Sequence, residues 1–580
     1  MHGGGEMSDR GGSWGRPERK VSRRAVLGVG TLLGGSAAFA LACGGSKSRT
    51  GQVSSTAESP TGRLAPVTTG VPVPGAGQQP KRGGTFTTVE GPPRSLDPHF
   101  DTFPANTIVT NNVYNALLTF NADITQIETE LAEAMPEQPD QVTYIFKLRK
   151  GIKFHDVPPA NGREMVAADV KYSIERQSTN DPGKFQHAYY FVNRIARIET
   201  PDDYTVKFVL NKPYAPFISY IASPWTLVIL RELVEQDGDL TKRAIGTGPF
   251  IFEEWQKDVQ HRLRRNPNYW KKDQFGNQLP YVDRLIIKII TDPNAVQAQF
   301  LGGDLDAAGI QFTFVDEVKR KLPKANYRAM PSQFWRQMRT APYDGEKYPH
   351  RKPYNDIRVR QAIVQAVNKK EVLDIVFSGD GVVVKGPILP IYPMWELKED
   401  PVKYDPAESK KLLEAAGFPN GFEDEMIFDN SAGEIPNNVG EVLKNQLAKI
   451  GVRVTLRGME RTAYYNKTYA YDYNLSHHVP LNQPDPDENL SSYFGRNSTF
   501  YKWGNREIWD LIDKQAETID TAERQKIVQE VQRKICLDYP MSFIYTPNNH
   551  FFTQARVKGW FYPNDYYNGR RETVWIDPTA

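Results

Sequence analysis

Residues 25–42, AVLGVGTLLGGSAAFALA, follow the pair Arg23-Arg24 and run directly into Cys43. No other stretch limits so strongly what this chain can fold into. A basic start, an uncharged run of small and apolar residues, and small residues ahead of a cysteine make an export signal, which takes no part in the mature fold. Arg23 and Arg24 resemble the twin-arginine export pair. Ala40-Leu41-Ala42-Cys43 resembles a bacterial lipobox, with Ala where Leu usually opens it, so Cys43 is expected to receive lipid and become the mature N-terminus. A single membrane anchor is the alternative, although the run is rich in Ala and Gly and falls short of the about 20 apolar residues a span needs.

The segment from 44 to about 80 contains no aromatic residue and is rich in Gly, Ser, Thr and Pro. It cannot bury enough apolar surface to order itself and reads as a tether. The leader also explains the charge. Six basic residues precede Cys43 against three acids, which accounts for the whole formal charge of +3. The rest is close to neutral, so neither a nucleic-acid partner nor an anionic surface is implied. Two cysteines remain, Cys43 and Cys536. With Cys43 lipidated no disulfide within the chain is available. Cys536 flanks the helical stripe Ile527, Val531 and Ile535 and is expected to be a buried structural thiol.

A chain of 580 residues is too long for one core, and two or three domains are expected. Alternation marks the strands: Tyr144, Phe146 and Leu148 share one face, Tyr204, Val206, Phe208 and Leu210 another, Leu285, Ile287 and Ile289 a third. Helices announce themselves by their caps. DPAESKKLLEAAGF carries Asp405 at the N-cap, Pro406 in the first turn, Glu408 to complete a capping box and Gly417 as the stop. DTAER, from Asp520, repeats that logic. NNVGEVLKNQLAKIGVRVTLRGM reads as a helix with Val442, Leu443, Leu447 and Ile450 inward, then a strand with Val452, Val454 and Leu456, the helix-to-strand unit of an α/β layer.

Catalytic signatures are scarce. The chain has no G-x-S-x-G elbow, no H-E-x-x-H, no Walker loop and no C-x-x-C. Gly246-Thr247-Gly248-Pro249 reads as a turn rather than a phosphate loop, since Pro249 lacks a backbone donor. His155-Asp156 reads as a turn-stabilising pair beside Pro158-Pro159-Ala160-Asn161-Gly162. The stretch LNQPDPDE, Leu481 to Glu488, with His477-His478 just before it, looks most like a metal or acid–base cluster. Neighbouring residues on a strand point to opposite faces, however, so the two imidazoles do not readily share one ion. Two prolines make the acidic stretch a rigid turn rather than a ligand cage. No metal or other cofactor is expected.

Several motifs in order carry a resemblance: GGTF and SLDPHFD near the start; VYNALLTF; YIFKLRKGIKFHDVPPANGREMVAADVKYSIER; GTGPFIFEEW; NPNYW; FLGGDLDAAG; RVRQAIVQAVNKKEV; and YDPAESKKLLEAAGFPNGF. Together they resemble the extracellular solute-binding proteins of family 5, which deliver peptides and similar solutes to ABC importers, and the similarity runs from about Gly83 to the C-terminus. The resemblance implies an α/β fold of the periplasmic-binding-protein type II kind: two large, hinge-connected lobes around a cleft plus an extra inserted domain. Its parts are 1–42 as export signal, 43–82 as lipidated cysteine and tether, 83–120, 244–333 and 547–580 as lobe I, 121–243 as the inserted domain II, and 334–546 as lobe III. It also implies a monomeric receptor rather than an enzyme. The partners would be a peptide or other small solute and the permease and ATPase subunits of the importer. The receptor would be exported and lipid-anchored to the bacterial cell membrane, facing the periplasm or cell exterior.

Matching on Asp485-Pro486-Asp487 puts Asn482 where peptide-binding relatives carry an amine-anchoring aspartate. Val479 then falls where they carry a tryptophan, and Pro480 where a backbone donor meets the ligand. An amine-to-carboxylate bond is worth about 1.5–3 kcal/mol, and Asn supplies no charge for it. Arg336 and Arg339, in the unusually long stretch Phe334 to Gln361, are candidate partners for a ligand carboxylate. Trp335 and Trp395 are candidate stacking platforms. These departures leave a second cargo open, an oligosaccharide or other uncharged solute. A metal-dependent hydrolase built on His477-His478 and Asp485 to Glu488 is the remote alternative.

Overall fold

The computed structural model describes residues 75–100, 104–179, 185, 187–342, 352–431, 433–480, 484–498, 500–560, 562 and 569–580. Cys43, Arg23, Arg24 and Asn482 lie outside them, as do the leader and most of the tether.

Among the described residues, twelve strands form one mixed sheet that serves both lobes. Its centre is the strand Met541–Thr553. The first half of that strand pairs antiparallel with Arg336–Thr340, with Arg339 opposite Met541, and with Gly381–Val383. The second half pairs with Ala307–Ile310 and Asn326–Pro331, with Ala307 opposite Thr553. Partners change at Pro547, which faces Gly381 on one side while Asn548 faces Pro331 on the other. On one flank the sheet continues through Thr85–Glu90, paired in parallel with Arg284–Ile289, to the antiparallel hairpin Phe250–Gln256 and Gln260–Arg265. On the other flank it runs from Arg336–Thr340 to Leu475–His478, then in parallel to Phe422–Asp429 and Val452–Met459.

The parallel pairs take helical crossovers. Ile435–Ala448 links Phe422–Asp429 to Val452–Met459 and buries Val439, Leu443 and Leu447, while Ile450 is buried just beyond it. Val442 sits at the margin of that face. Asp405 caps Pro406–Ala415 by accepting from the Glu408 amide at 2.8 Å. The reciprocal half of the expected capping box is not made. The Asp405 amide donates to Gln365 O, and the Glu408 carboxylate turns to Lys411. Asp520 caps Thr521–Leu537 by accepting from the Glu523 amide at 2.7 Å. Cys536 on that helix is buried, and burial pushes its thiol up to about 12.

A separate three-stranded antiparallel sheet is formed by Thr143–Lys147, Thr205–Leu210 and Ile195–Asp202. Its alternation is the one read from the sequence: Tyr144, Phe146, Leu148, Val206, Phe208 and Leu210 are buried, and Phe146 meets Phe208 edge-on at 5.7 Å. The motif block around it is held by charge. Arg163 pairs with Asp169 and Glu232, and Arg176 with Asp97 beside His99. The turn at Gly246 to Gly248 lies against the chain at Val113. A Cβ on Gly248 would come within 2.5 Å of the Val113 carbonyl carbon, so only glycine fits. His155 is more than a local turn residue: it is buried and its Nε2 reaches Gly248 O at 3.1 Å, tying one turn to the other. One large apolar cluster runs through the inserted sheet and parts of both lobes, and a second packs the flank around Phe422–Asp429 and reaches the central strand at Ile544 and Tyr545.

Candidate functional site

The acidic stretch after His477-His478 opens a helix rather than a free turn. Asp485 is the N-cap of Pro486–Phe494 and accepts from the Asp487 amide at 2.9 Å, with Pro486 in the first turn, where no amide partner is needed. Every acid in it is engaged. Asp485 forms a buried two-point ion pair with Arg524, at 2.6 and 3.1 Å. Asp487 accepts from Tyr214, Tyr220, Gln515 and Ser491, at 3.1, 2.9, 2.6 and 2.7 Å. Glu488 accepts from Tyr190 at 2.8 Å and lies 3.8 Å from His187. Tyr190, Tyr214 and Tyr220 come from the region around the three-stranded sheet, so the helix start pins that region to the second lobe.

The two histidines diverge as their strand requires. His478 Nδ1 is 2.8 Å from the Tyr464 hydroxyl. His477 is buried with neither ring nitrogen bonded, and burial, with the charge of Arg336, pushes it down to about 3. Among the described residues no group of three His, Cys, Asp or Glu is placed to hold a metal ion. The carboxylates that the hydrolase alternative needs are already engaged by Arg524, the tyrosines, Gln515 and Ser491.

The other sequence candidates separate. The ladder between Arg336–Thr340 and Leu475–His478 extends one step further, with the Trp335 amide donating to Pro480 O at 3.3 Å. Pro480 therefore spends its carbonyl inside the sheet. Val479 is half-buried beside it. Trp335 is buried and stacked on Phe543 at 5.3 Å. Trp395 is buried beneath the Arg524 guanidinium, 5.2 Å away. Arg339 is 1% exposed and packs over Tyr493 and Tyr501, at 5.5 and 5.2 Å from the ring centres. In the amide orientation that satisfies Gln337, its oxygen accepts from Arg339 Nε and Nη2 at 2.6 Å each.

Arg336 alone of these faces open space. It lines a cavity of about 480 Å³ whose walls come from both lobes, within the range that encloses one small ligand. Glu90, Gln333, Asn548, His550 and Arg571 line it as well. His550 is bound to Asp380 at 2.5 Å and to Tyr327 at 2.9 Å. Glu90 accepts from the Gly91 amide at 3.0 Å, and burial raises its pKa. Two larger depressions, of about 680 and 840 Å³, are walled mainly by surface charges, several of them already paired, such as Arg496 with Asp510 and Lys212 with Glu517. Sequence reasoning missed Arg571, Glu90 and Gln333. The one available signal was Arg570-Arg571-Glu572, two arginines beside a single acid in the C-terminal segment.

A continuous sheet shared by two lobes, a cavity between them and an inserted small sheet define a two-lobed binding protein. The model of the bacterial extracellular solute-binding proteins, family 5, matches residues 126–501, and the chain belongs to that family. Di/tripeptide-binding protein 1 of Pseudomonas aeruginosa is 30% identical over 521 residues, covering 82% of this chain and 92% of that protein. Heme-binding protein A of Haemophilus influenzae is 28% identical, covering 73% of this chain and 79% of that protein. Among solved structures, the periplasmic binding protein DppA from Helicobacter pylori in complex with the peptide STSA superposes with a TM-score of 0.73 at 26% identity, over 86% of this chain and 98% of that one. AgaA from A. tumefaciens in complex with agropinic acid does so with a TM-score of 0.71 at 25% identity, over 85% and 99%. The relatives are binding proteins, and the family is extracellular.

Proposed function

We propose that this chain is the receptor of an ABC importer that captures peptides or peptide-sized solutes between its lobes and presents them to the permease. The observation that carries the reading is the cavity of about 480 Å³ lined from both lobes, largely apolar with a few polar groups such as Glu90, Asn548, Arg571 and Arg336. The relatives whose names specify di- and tripeptides support the cargo class. Closure on a ligand is a population shift: the closed state gains contacts that the open state lacks, and the closed form is the one that docks productively. The uncharged-solute reading drew on Asn482, which lies outside the described residues, and on Trp335 and Trp395, whose rings are packed against protein.

Export through Arg23-Arg24, lipidation at Cys43, the division into 83–120, 121–243, 244–333, 334–546 and 547–580, and a monomeric state belong to the same proposal. Cys43→Ala is expected to release the protein from the membrane fraction, and retention of the variant there would refute the anchor. For the cargo, the measurement is mass spectrometry of ligand released from purified protein, with thermal shift against a peptide library. Peptides are the expected outcome; recovery of sugars alone would sink the reading. Asn482 stays a proposed selectivity position. Asn482→Asp is expected to favour ligands with a free amine, and an unchanged affinity ratio between amine-bearing and amine-blocked ligands would remove it.

A further inference from the structure

Arg570, Arg571 and Glu572 are neighbours in the chain that the fold treats in opposite ways. Arg570 pairs with the buried Glu130. Glu572 accepts from Tyr269 and Lys271, at 2.6 and 2.5 Å. Arg571 is 4% exposed, has no ion-pair partner among the described residues, and leaves Nε and Nη1 without an acceptor there. It is compensated in part by the Trp560 ring, whose centre is 4.9 Å from the guanidinium carbon, and by the charge of the nearby Glu90. Burial pushes its pKa down to about 10, so it stays charged at neutral pH. Arg336 on the second lobe, half-buried, likewise has a buried Nε without an acceptor and, among the described residues, no ion pair, and Gln333 Nε2 is a third buried donor left over. All three line the same cavity.

A buried cation whose counter-charge is incomplete is costly, and native folds rarely keep one unless something supplies the missing charge. Glu90, the one acid among the described lining residues, feels the charge of Arg571 without forming a direct ion pair with either arginine, and it offsets only one of the two positive charges. His550 brings its own acid in Asp380. The lining therefore carries one positive charge in excess.

Taking solute capture in this cleft as given, we propose that the ligand carries more negative than positive charge: an acidic or amine-blocked short peptide, with carboxylate oxygens accepting from Arg571 on one lobe and Arg336 on the other. A guanidinium offers a planar, two-point fit to a carboxylate, and two of them on opposite walls reward closure only when the anion is present.

Isothermal titration calorimetry of the mature protein with four probes tests this: N-acetyl-trialanine, trialanine, trialanine amide and glutarate. N-acetyl-trialanine is expected to bind about tenfold or more tighter than trialanine amide. Arg571→Gln and Arg336→Gln should each lose about that factor for the carboxylated probe while leaving the amide nearly unchanged. Arg571→Gln should also raise the melting temperature of the ligand-free protein, a direction that a purely structural arginine would not give. Arg571→Lys, which keeps the charge, should retain part of the affinity and serves if the glutamine variant does not fold. Trialanine amide binding as tightly as N-acetyl-trialanine in all variants would overturn the inference and leave peptide capture standing. Glutarate binding with the same arginine dependence, and no tripeptide binding, would uphold it and remove peptide capture. No binding by any of the four would overturn it.

Discussion

Buried charge is handled in two opposite ways in this molecule. At the start of helix Pro486–Phe494, Asp485, Asp487 and Glu488 are each enclosed and each supplied with donors, from Arg524, Tyr214, Tyr220, Gln515, Ser491 and Tyr190. In the cleft, Arg571 is buried with Nε and Nη1 lacking acceptors, and the half-buried Arg336 keeps a buried Nε without one. The first region looks like chemistry in the sequence and is architecture in the fold. The second is inconspicuous in the sequence and is where the fold leaves work for another molecule. Saturation, more than density, separates a strut from a site.

The comparison breaks most visibly at Arg524. Arg524→Met leaves Asp485 buried without its cation and is expected to cost about 3–5 kcal/mol, read from urea unfolding. A loss below about 1 kcal/mol would mean that the acidic cluster is not saturated through this pair. Asp487→Asn keeps the shape but weakens four acceptor contacts, and about 1–3 kcal/mol is expected by the same measurement. Because the residue anchors the helix start rather than the cleft, the variant's affinity for N-acetyl-trialanine should stay near that of the parent.

The smallest effect is on pH. Burial lowers His99 and His155 to about 4 and His187 and His477 to about 3. A histidine whose folded pKa lies below its unfolded value binds protons preferentially when unfolded. It costs nothing above about pH 6.5, and the penalty grows as pH falls from there towards the folded pKa. Between pH 7 and pH 6 each such histidine should remove about 0.7 kcal/mol, and His477→Phe should flatten the slope by that amount. An unchanged slope would mean that the folded and unfolded proteins bind a proton at His477 equally well.

Local rules carried most of the fold. Alternation found the strands around Tyr144 and Val206, and caps found the helices from Asp405 and Asp520, because period and capping are written within a few residues. The capping box at Glu408 failed in its second half because Gln365, distant in sequence, takes the Asp405 amide. The site was harder to read. Trp335, Trp395 and Arg339 are credible ligand contacts by type, and the fold packs them against Phe543, Arg524 and Tyr501. Arg336 differs from Arg339 by three positions on one strand, and only the packing decides which of the two meets the cavity. Arg571 looked like Arg570 in the sequence; a partner more than four hundred residues away, Glu130, tells them apart.

Strand Met541–Thr553 belongs to the ladders of both lobes at once. The lobes are therefore not two plates on a pin but two ends of one ribbon, and any rotation between them loads that ribbon in torsion near Pro547. Mechanically the cleft resembles a clasp cut from a single strip, its floor continuous backbone rather than a separate linker.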